Sequence, residues 1–194
     1  ARSSMAGSPR ISDGSFSGVM AEPRQRYLVA LGSNMRVPGV GGPGKVLRAA
    51  IDRLAEMELD IAAVSRIIAS RPVGPSIRLY ANAVIEVETG LTPPDLLDLL
   101  QSVEADFGRR RRGARWRARP LDLDIILWSG GAWASPDLTI PHPLFRERDF
   151  VIGPAAQIAP QWRDPVTGLT LRQLAARQRK APLNPVAGRP LSRL

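Results

Sequence analysis

The 194-residue chain contains no cysteine. That excludes disulfides, zinc fingers, thiolate catalysis and iron–sulfur clusters. It has a single histidine, His142, so a metal site built from several imidazoles is excluded as well. Any metal must be a hard cation held by oxygen: Mg²⁺, Mn²⁺ or Ca²⁺. Aromatic residues make up only 5%, few for a sheet that stacks nucleic-acid bases. No apolar run approaches the roughly 18 residues that span a bilayer. The N-terminal stretch lacks the apolar centre of a secretory signal, so a cytoplasmic protein is expected. Lysine is nearly missing too: Lys45 and Lys180 are the only two, and 25 of the 27 basic residues are arginine.

What is present suits one folded domain: 44% hydrophobic and 23% charged residues, with a net charge of +9. An arginine-dominated basic chain points to shaped recognition of phosphate or carboxylate, because the planar guanidinium binds two oxygens at once. Residues 1–26, rich in Ser, Gly, Pro and Arg, read as a disordered N-terminal tail. Residues 177–194, with Pro182, Pro185, Pro190 and five bases, read as a basic C-terminal tail. The domain itself is expected over 27–176.

Hydrophobic periodicity sets out the elements. Tyr27–Leu31 reads as a buried strand ending at Gly32-Ser33-Asn34. Val46, Leu47, Ala50, Ile51 and Leu54 recur at helical spacing over 45–58. A second strand is expected over Ile61–Ala69, then a Pro/Gly loop over 71–79. Ala81–Thr89 alternates as a third strand, half exposed. Thr92-Pro93-Pro94-Asp95 opens a helix with Thr92 as the cap, and Leu96, Leu100, Val103 and Phe107 line one face of it. Leu121–Trp128 is a fourth strand, and short helices are expected over Phe150–Ala159 and Leu169–Ala176. The order is β-α-β-β-α-β with a C-terminal extension. That predicts an α+β fold: a ferredoxin-like sandwich with an antiparallel sheet and helices packed on one face.

Four constellations carry chemistry. Asp122 and Asp124, two apart on a strand, share one face while Leu121, Leu123 and Ile125 point to the other. Such a pair suits a hard cation such as Mg²⁺, which keeps places for water and phosphate; taken alone, it also suits a solvated strand face. Seven arginines and no acid fall between residues 109 and 119, with Trp116 among them. They are surplus to two carboxylates and suit a polyphosphate bridged to them by metal, or a nucleic-acid backbone. His142 stands between Pro141 and Pro143, with Arg146 and Arg148 following; this rigid histidine beside two arginines suits phosphate. Tyr80 and Asn82 sit side by side at a strand start, a ring beside an amide, suited to a flat heterocycle. Gly39–Lys45 has the Gly-x₄-Gly-Lys spacing of a phosphate-binding loop, but Val46 replaces the expected Ser/Thr and Pro43 lacks an N–H. It reads as a turn.

Together these segments resemble one family, the 6-hydroxymethyl-7,8-dihydropterin pyrophosphokinases of folate biosynthesis. The resemblance lies in ALGSN (30–34), RPVGP…YANAVIEVET (71–89), QSVEADFGRRRRGARWRARPLDLDIILW (101–128) and IPHPLFRERDFVIGP (140–154), and it spans about 27–176. It implies pyrophosphoryl transfer from ATP to the hydroxymethyl group of the pterin with release of AMP. Asp122 and Asp124 resemble the carboxylates holding two Mg²⁺ ions, and with Arg109 and Arg119 they resemble the catalytic set. Gln101, Glu104, Arg111, Arg115, Trp116, Ile125, His142 and Arg148 resemble the ATP-binding residues. Ser70, Val73, Tyr80, Asn82 and Phe150 resemble the pterin site, with Tyr80 and Phe150 as the aromatic pair around the ring. No nucleic-acid or membrane partner is implied. A monomer is expected, with a dimer left open. One departure is Pro143, where some members carry tyrosine.

A nucleic-acid-binding ferredoxin-like domain is the competing class. It should show exposed aromatics on its sheet, whereas Tyr80, Trp116 and Phe150 fall at loops or strand ends.

Overall fold

The computed structural model describes residues 24–57, 59–71, 79–108 and 120–180. Its elements follow in the order β1 (Gln25–Ser33), α1 (Pro43–Glu56), β2 (Asp60–Val64), β3 (Ile68–Ser70), β4 (Tyr80–Thr89), α2 (Pro93–Asp106), β5 (Asp122–Trp128), β6 (Trp133–Ala134), β7 (Thr139–Ile140), α3 (Asp149–Ile158) and α4 (Leu171–Lys180), with a single 3-10 turn at Phe145–Glu147. The main sheet runs β2-β4-β1-β5, with β3 also on β4, and every pairing is antiparallel. This is the ferredoxin-like order expected from the sequence.

The second strand is broken in two. Ser65 interrupts it: its N–H donates to the Val84 carbonyl, and its hydroxyl oxygen accepts the Val84 N–H at 2.9 Å. A side-chain oxygen thus stands in for a ladder carbonyl, and β2 and β3 continue on either side along the same edge of β4. Alternation gives no sign of this, because the bond depends on one hydroxyl competing with the backbone.

Central strand β1 is buried on both faces. Tyr27, Val29 and Leu31 join Ile85, Val87, Leu123 and Ile125 beneath α1 and α2, whose Val46, Leu47, Leu54, Leu96 and Leu100 are fully covered. Each such side chain contributes about 1.5–3 kcal/mol. Leu28, Ala30, Val84 and Ile126 point the other way and pack against Phe145, Val151, Ile152 and Ala155 of the α3 region and Leu171 and Leu174 of α4. Helices therefore cover both faces, not one. For the same reason β4 is not half exposed: Val84 lies under α3, and Glu86 is buried and ion-paired with Arg26. Nor does Thr92 cap α2 with its side chain; its hydroxyl donates to Asp95 at 2.5 Å. Gly108 ends that helix at φ +90°, a conformation costly for a residue with a Cβ.

The glycine-rich stretch before α1 is a turn. Val37 and Gly41 exchange backbone hydrogen bonds at 2.9 Å, and the Val40 N–H also donates to Val37. Those amides are spent within the turn and do not form a phosphate cradle. Among the described residues no helix is long and apolar enough to cross a membrane.

Candidate active site

The helix layer of α3 and α4 covers only part of its sheet face. Along β1 the side chains on that face shrink from Leu28 to Ala30 to Gly32. In register beside them stand Glu86, Val84 and Asn82 on β4, and Asp124 and Asp122 on β5. Among the described residues the helix layer packs on this face at Leu28 and Val84, and Gly32, Asn82 and Asp122 lie at its other end. The candidate site occupies that end.

Asp122 and Asp124 share the face, as their spacing predicts, and both are half-buried. They are held from behind. Glu104 of α2, 2% exposed, accepts the backbone N–H of Leu123, the residue between them, at 2.8 Å. Gln101 lies one turn earlier on α2, half-buried. Two residues from the 142–148 segment converge on Asp124: His142 Nε2 stands 3.9 Å and Arg148 Nη1 3.6 Å from its Oδ2. The N–H of Leu144 lies 3.2 Å from His142 Nδ1, and Nε2 is the ring nitrogen that faces Asp124. Burial holds the imidazole below its usual pKa; Arg148 pushes the same way, and Asp124 and Asp122 push back.

Arg146 does not join this cluster. It is turned into the protein, where its Nε and Nη2 donate to Asp164 at 2.8 and 2.5 Å. Of the two arginines after His142, Arg148 alone reaches the aspartates.

On the other side of β1, Ser70 and Tyr80 are register partners across β3 and β4, and Asn82 Nδ2 donates to Ser70 Oγ at 2.8 Å. Asn82 is 5% exposed, while Tyr80 is half-buried at the strand start. Phe150 opens α3, which packs on β3 and β4, and the Arg148 guanidinium lies 6.0 Å from its ring centre. The structure therefore brings Ser70, Tyr80, Asn82, Asp122, Asp124, His142, Arg148 and Phe150 to one end of one sheet face. Val73, Arg109, Arg111, Arg115, Trp116 and Arg119 lie outside the described residues.

Beside Asp124 and His142 is a cavity of about 300 Å³, walled by Leu97, Ile125, Pro136, Leu138 and Thr139. Its lining mixes apolar side chains with Asp137, Thr139 and the Asp124–His142 end, a combination that suits a ligand with a flat apolar face and polar edges. Nothing in the spacing points to Leu97, Pro136 or Thr139. The turn that carries Pro136 and leads into Thr139 of β7, closed by the Ser135 N–H donating to the Leu138 carbonyl at 2.9 Å, is the only local sign. A larger cavity, about 490 Å³, sits at the Arg26 end of β1 and is lined by none of the candidate site residues.

Residues 28–160 match the family model of 7,8-dihydro-6-hydroxymethylpterin-pyrophosphokinase (HPPK). The chain belongs to the HPPK family. Two HPPK relatives carry the name 2-amino-4-hydroxy-6-hydroxymethyldihydropteridine pyrophosphokinase. One, from Synechocystis, is 39% identical over 71% of this chain and 73% of its own. The other, from Pseudomonas aeruginosa, is 40% identical over 73% of this chain and 85% of its own. Wild-type HPPK-DHPS of Plasmodium falciparum shares the fold at a TM-score of 0.63 and 13% identity; the match covers 82% of this chain but 42% of that one. The match to the HPPK model ends at residue 160, before α4, and α4 packs against α3.

Asp122 and Asp124 also pass a chemical test for a hard cation. Among the described residues no group of three or more His, Asp or Glu forms a cage. Two carboxylates at a strand end fit an ion that takes its remaining places from water and phosphate oxygen.

Proposed function

We infer that this chain transfers the β,γ-diphosphoryl group of ATP to the hydroxymethyl oxygen of 6-hydroxymethyl-7,8-dihydropterin, with release of AMP. The observation that carries the reading is the placement of Asn82 and of the Asp122–Asp124 pair on either side of β1, on one sheet face. One side suits a flat heterocycle and the other a metal-bound polyphosphate. Family membership and the relatives' names support the same reaction.

Each residue has a task. Tyr80 and Phe150 take the two faces of the pterin ring, and Asn82, steadied by Ser70, reads its polar edge, with backbone at Val73. His142 and Arg148 donate to phosphate oxygens. Arg109 and Arg119 meet the reacting phosphates, Gln101, Arg111, Arg115 and Trp116 serve ATP, and Glu104 acts from behind by holding the Leu123 N–H between the two aspartates. The base occupies the cavity against Ile125. Two Mg²⁺ ions at Asp122 and Asp124 supply neutralisation of phosphate charge when bound. In the transfer the hydroxyl oxygen bonds to the β-phosphorus and the bond from that phosphorus to the α,β-bridging oxygen breaks. AMP carries away that electron pair, and the hydroxyl proton goes to solvent. Catalysis comes from positioning and charge complementarity.

The test is AMP formation by the purified protein. It should require ATP, Mg²⁺ and the hydroxymethyl dihydropterin together. Absence of AMP with all three present overturns the reading.

A further inference from the structure

Gly32 occupies a position that the fold does not require to be glycine. It lies inside β1, paired on both sides, with Asn82 of β4 and Asp122 of β5 as its register partners. It is not among the glycines with positive φ. A Cβ placed on it would meet, among the described residues, only Asn82 Oδ1, at 3.7 Å, an ordinary van der Waals distance. Neither backbone conformation nor packing of the described protein excludes a side chain. Glycine inside a strand weakens it relative to alanine, and a common reason for it is the close approach of a ligand.

The surroundings point the same way. Register partners project to the same face, so the missing side chain of Gly32 leaves a gap between the Asn82 amide and the Asp122 carboxylate. Asn82 is 5% exposed, and its Nδ2 is committed to Ser70. Its Oδ1 makes no hydrogen bond among the described residues and stands beside the gap. Two strand spacings, about 10 Å, separate Asn82 from Asp122. That span suits a two-ring heterocycle with a one-carbon arm reaching from the amide towards the carboxylates.

We propose that Gly32 is a specificity-determining residue: its bare backbone is the floor over which the 6-hydroxymethyl arm of the pterin crosses from Asn82 to the phosphate end. This rests on the reading of function above and extends it to a residue with no chemistry of its own. A methyl group at position 32 would project into that gap, in the path of the arm. It would hold the arm off the sheet and misplace the attacking oxygen.

The experiment compares wild type with Gly32→Ala and Gly32→Val in three measurements: unfolding temperature, affinity for a fluorescent ATP analogue with Mg²⁺, and kcat/KM for the hydroxymethyl dihydropterin. Gly32→Ala should unfold no lower than wild type, bind the nucleotide within about twofold, and lose about tenfold or more in kcat/KM for the pterin. Gly32→Val should lose more. An active wild type with an unaffected Gly32→Ala variant overturns the assignment of Gly32 and leaves the reaction standing. A Gly32→Ala protein that unfolds at lower temperature also overturns it, since room for the methyl is the premise. A wild type that forms no AMP overturns the reaction, and this assignment with it.

Discussion

Asp164 holds Arg146 by both oxygens, Oδ2 accepting from Nε at 2.8 Å and Oδ1 from Nη2 at 2.5 Å. The carboxylate is fully buried and also accepts from the Thr167 hydroxyl and the Val166 N–H. The guanidinium lies over the buried Phe145 ring, 4.6 Å from its centre, and the Arg146 carbonyl accepts from Gln178 of α4 at 2.9 Å. The pair ties the loop before α4 to the turn between His142 and Arg148. Asp164→Ala should destabilise the protein by about 3 kcal/mol, because it leaves a largely buried guanidinium unpaired. Urea unfolding checks this. A loss under about 1 kcal/mol would show that the pair is not a structural tie.

The same pair sets an acid limit. Burial alone would raise the Asp164 pKa, but the Arg146, Thr167 and Val166 hydrogen bonds outweigh it and hold the pKa at about 2. A carboxylate with a depressed folded-state pKa contributes its stability in full above its unfolded value and loses it as pH falls towards the folded one. Stability measured against pH should therefore fall between about pH 4 and pH 2, and that part of the fall should be smaller in Asp164→Asn. An unchanged acid limb in the variant would contradict the assignment.

Glu104 gives a test of support behind the site. Glu104→Ala leaves the buried Leu123 N–H without its acceptor and should cost about 1–3 kcal/mol of stability. It should also lower turnover, since Leu123 lies between the two aspartates. Glu104→Gln retains an acceptor and should recover most of the stability. If Glu104→Gln is as unstable as Glu104→Ala, the hydrogen bond to Leu123 is not the cause. Unfolding curves and kcat on the same preparations decide it.

Asp122 and Asp124 should be close to indispensable. Asp122→Ala and Asp124→Ala should each lower kcat by about 100-fold or more at saturating Mg²⁺ while the protein stays folded. Steady-state rates with circular dichroism on the same samples check it. Rates near wild type would remove these residues from metal binding.

Much of this was legible in the sequence where one local rule decides. A spacing of two set Asp122 beside Asp124 and Tyr80 near Asn82, and apolar periodicity placed α1, α2, β4 and β5 to within a few residues. What was not legible depended on partners far along the chain. Arg146 looks like a phosphate ligand beside Arg148 until Asp164, 18 residues on, takes it. Glu86 reads as a solvent-facing residue of an alternating strand until Arg26 and the helix layer cover it. Ser65 breaks its strand through a single hydroxyl bond. The cavity beside Asp124 is built by Leu97 of α2 together with the 136–139 turn, elements that no sequence period joins.

The reading of function turns on which phosphorus the hydroxyl attacks, and product identity measures that directly. With the protein, Mg²⁺, ATP and the hydroxymethyl dihydropterin, phosphorus NMR with mass spectrometry should show equal amounts of AMP and a pterin bearing two phosphoryl groups. ADP with a singly phosphorylated pterin, or ADP with inorganic phosphate and unmodified pterin, would contradict it.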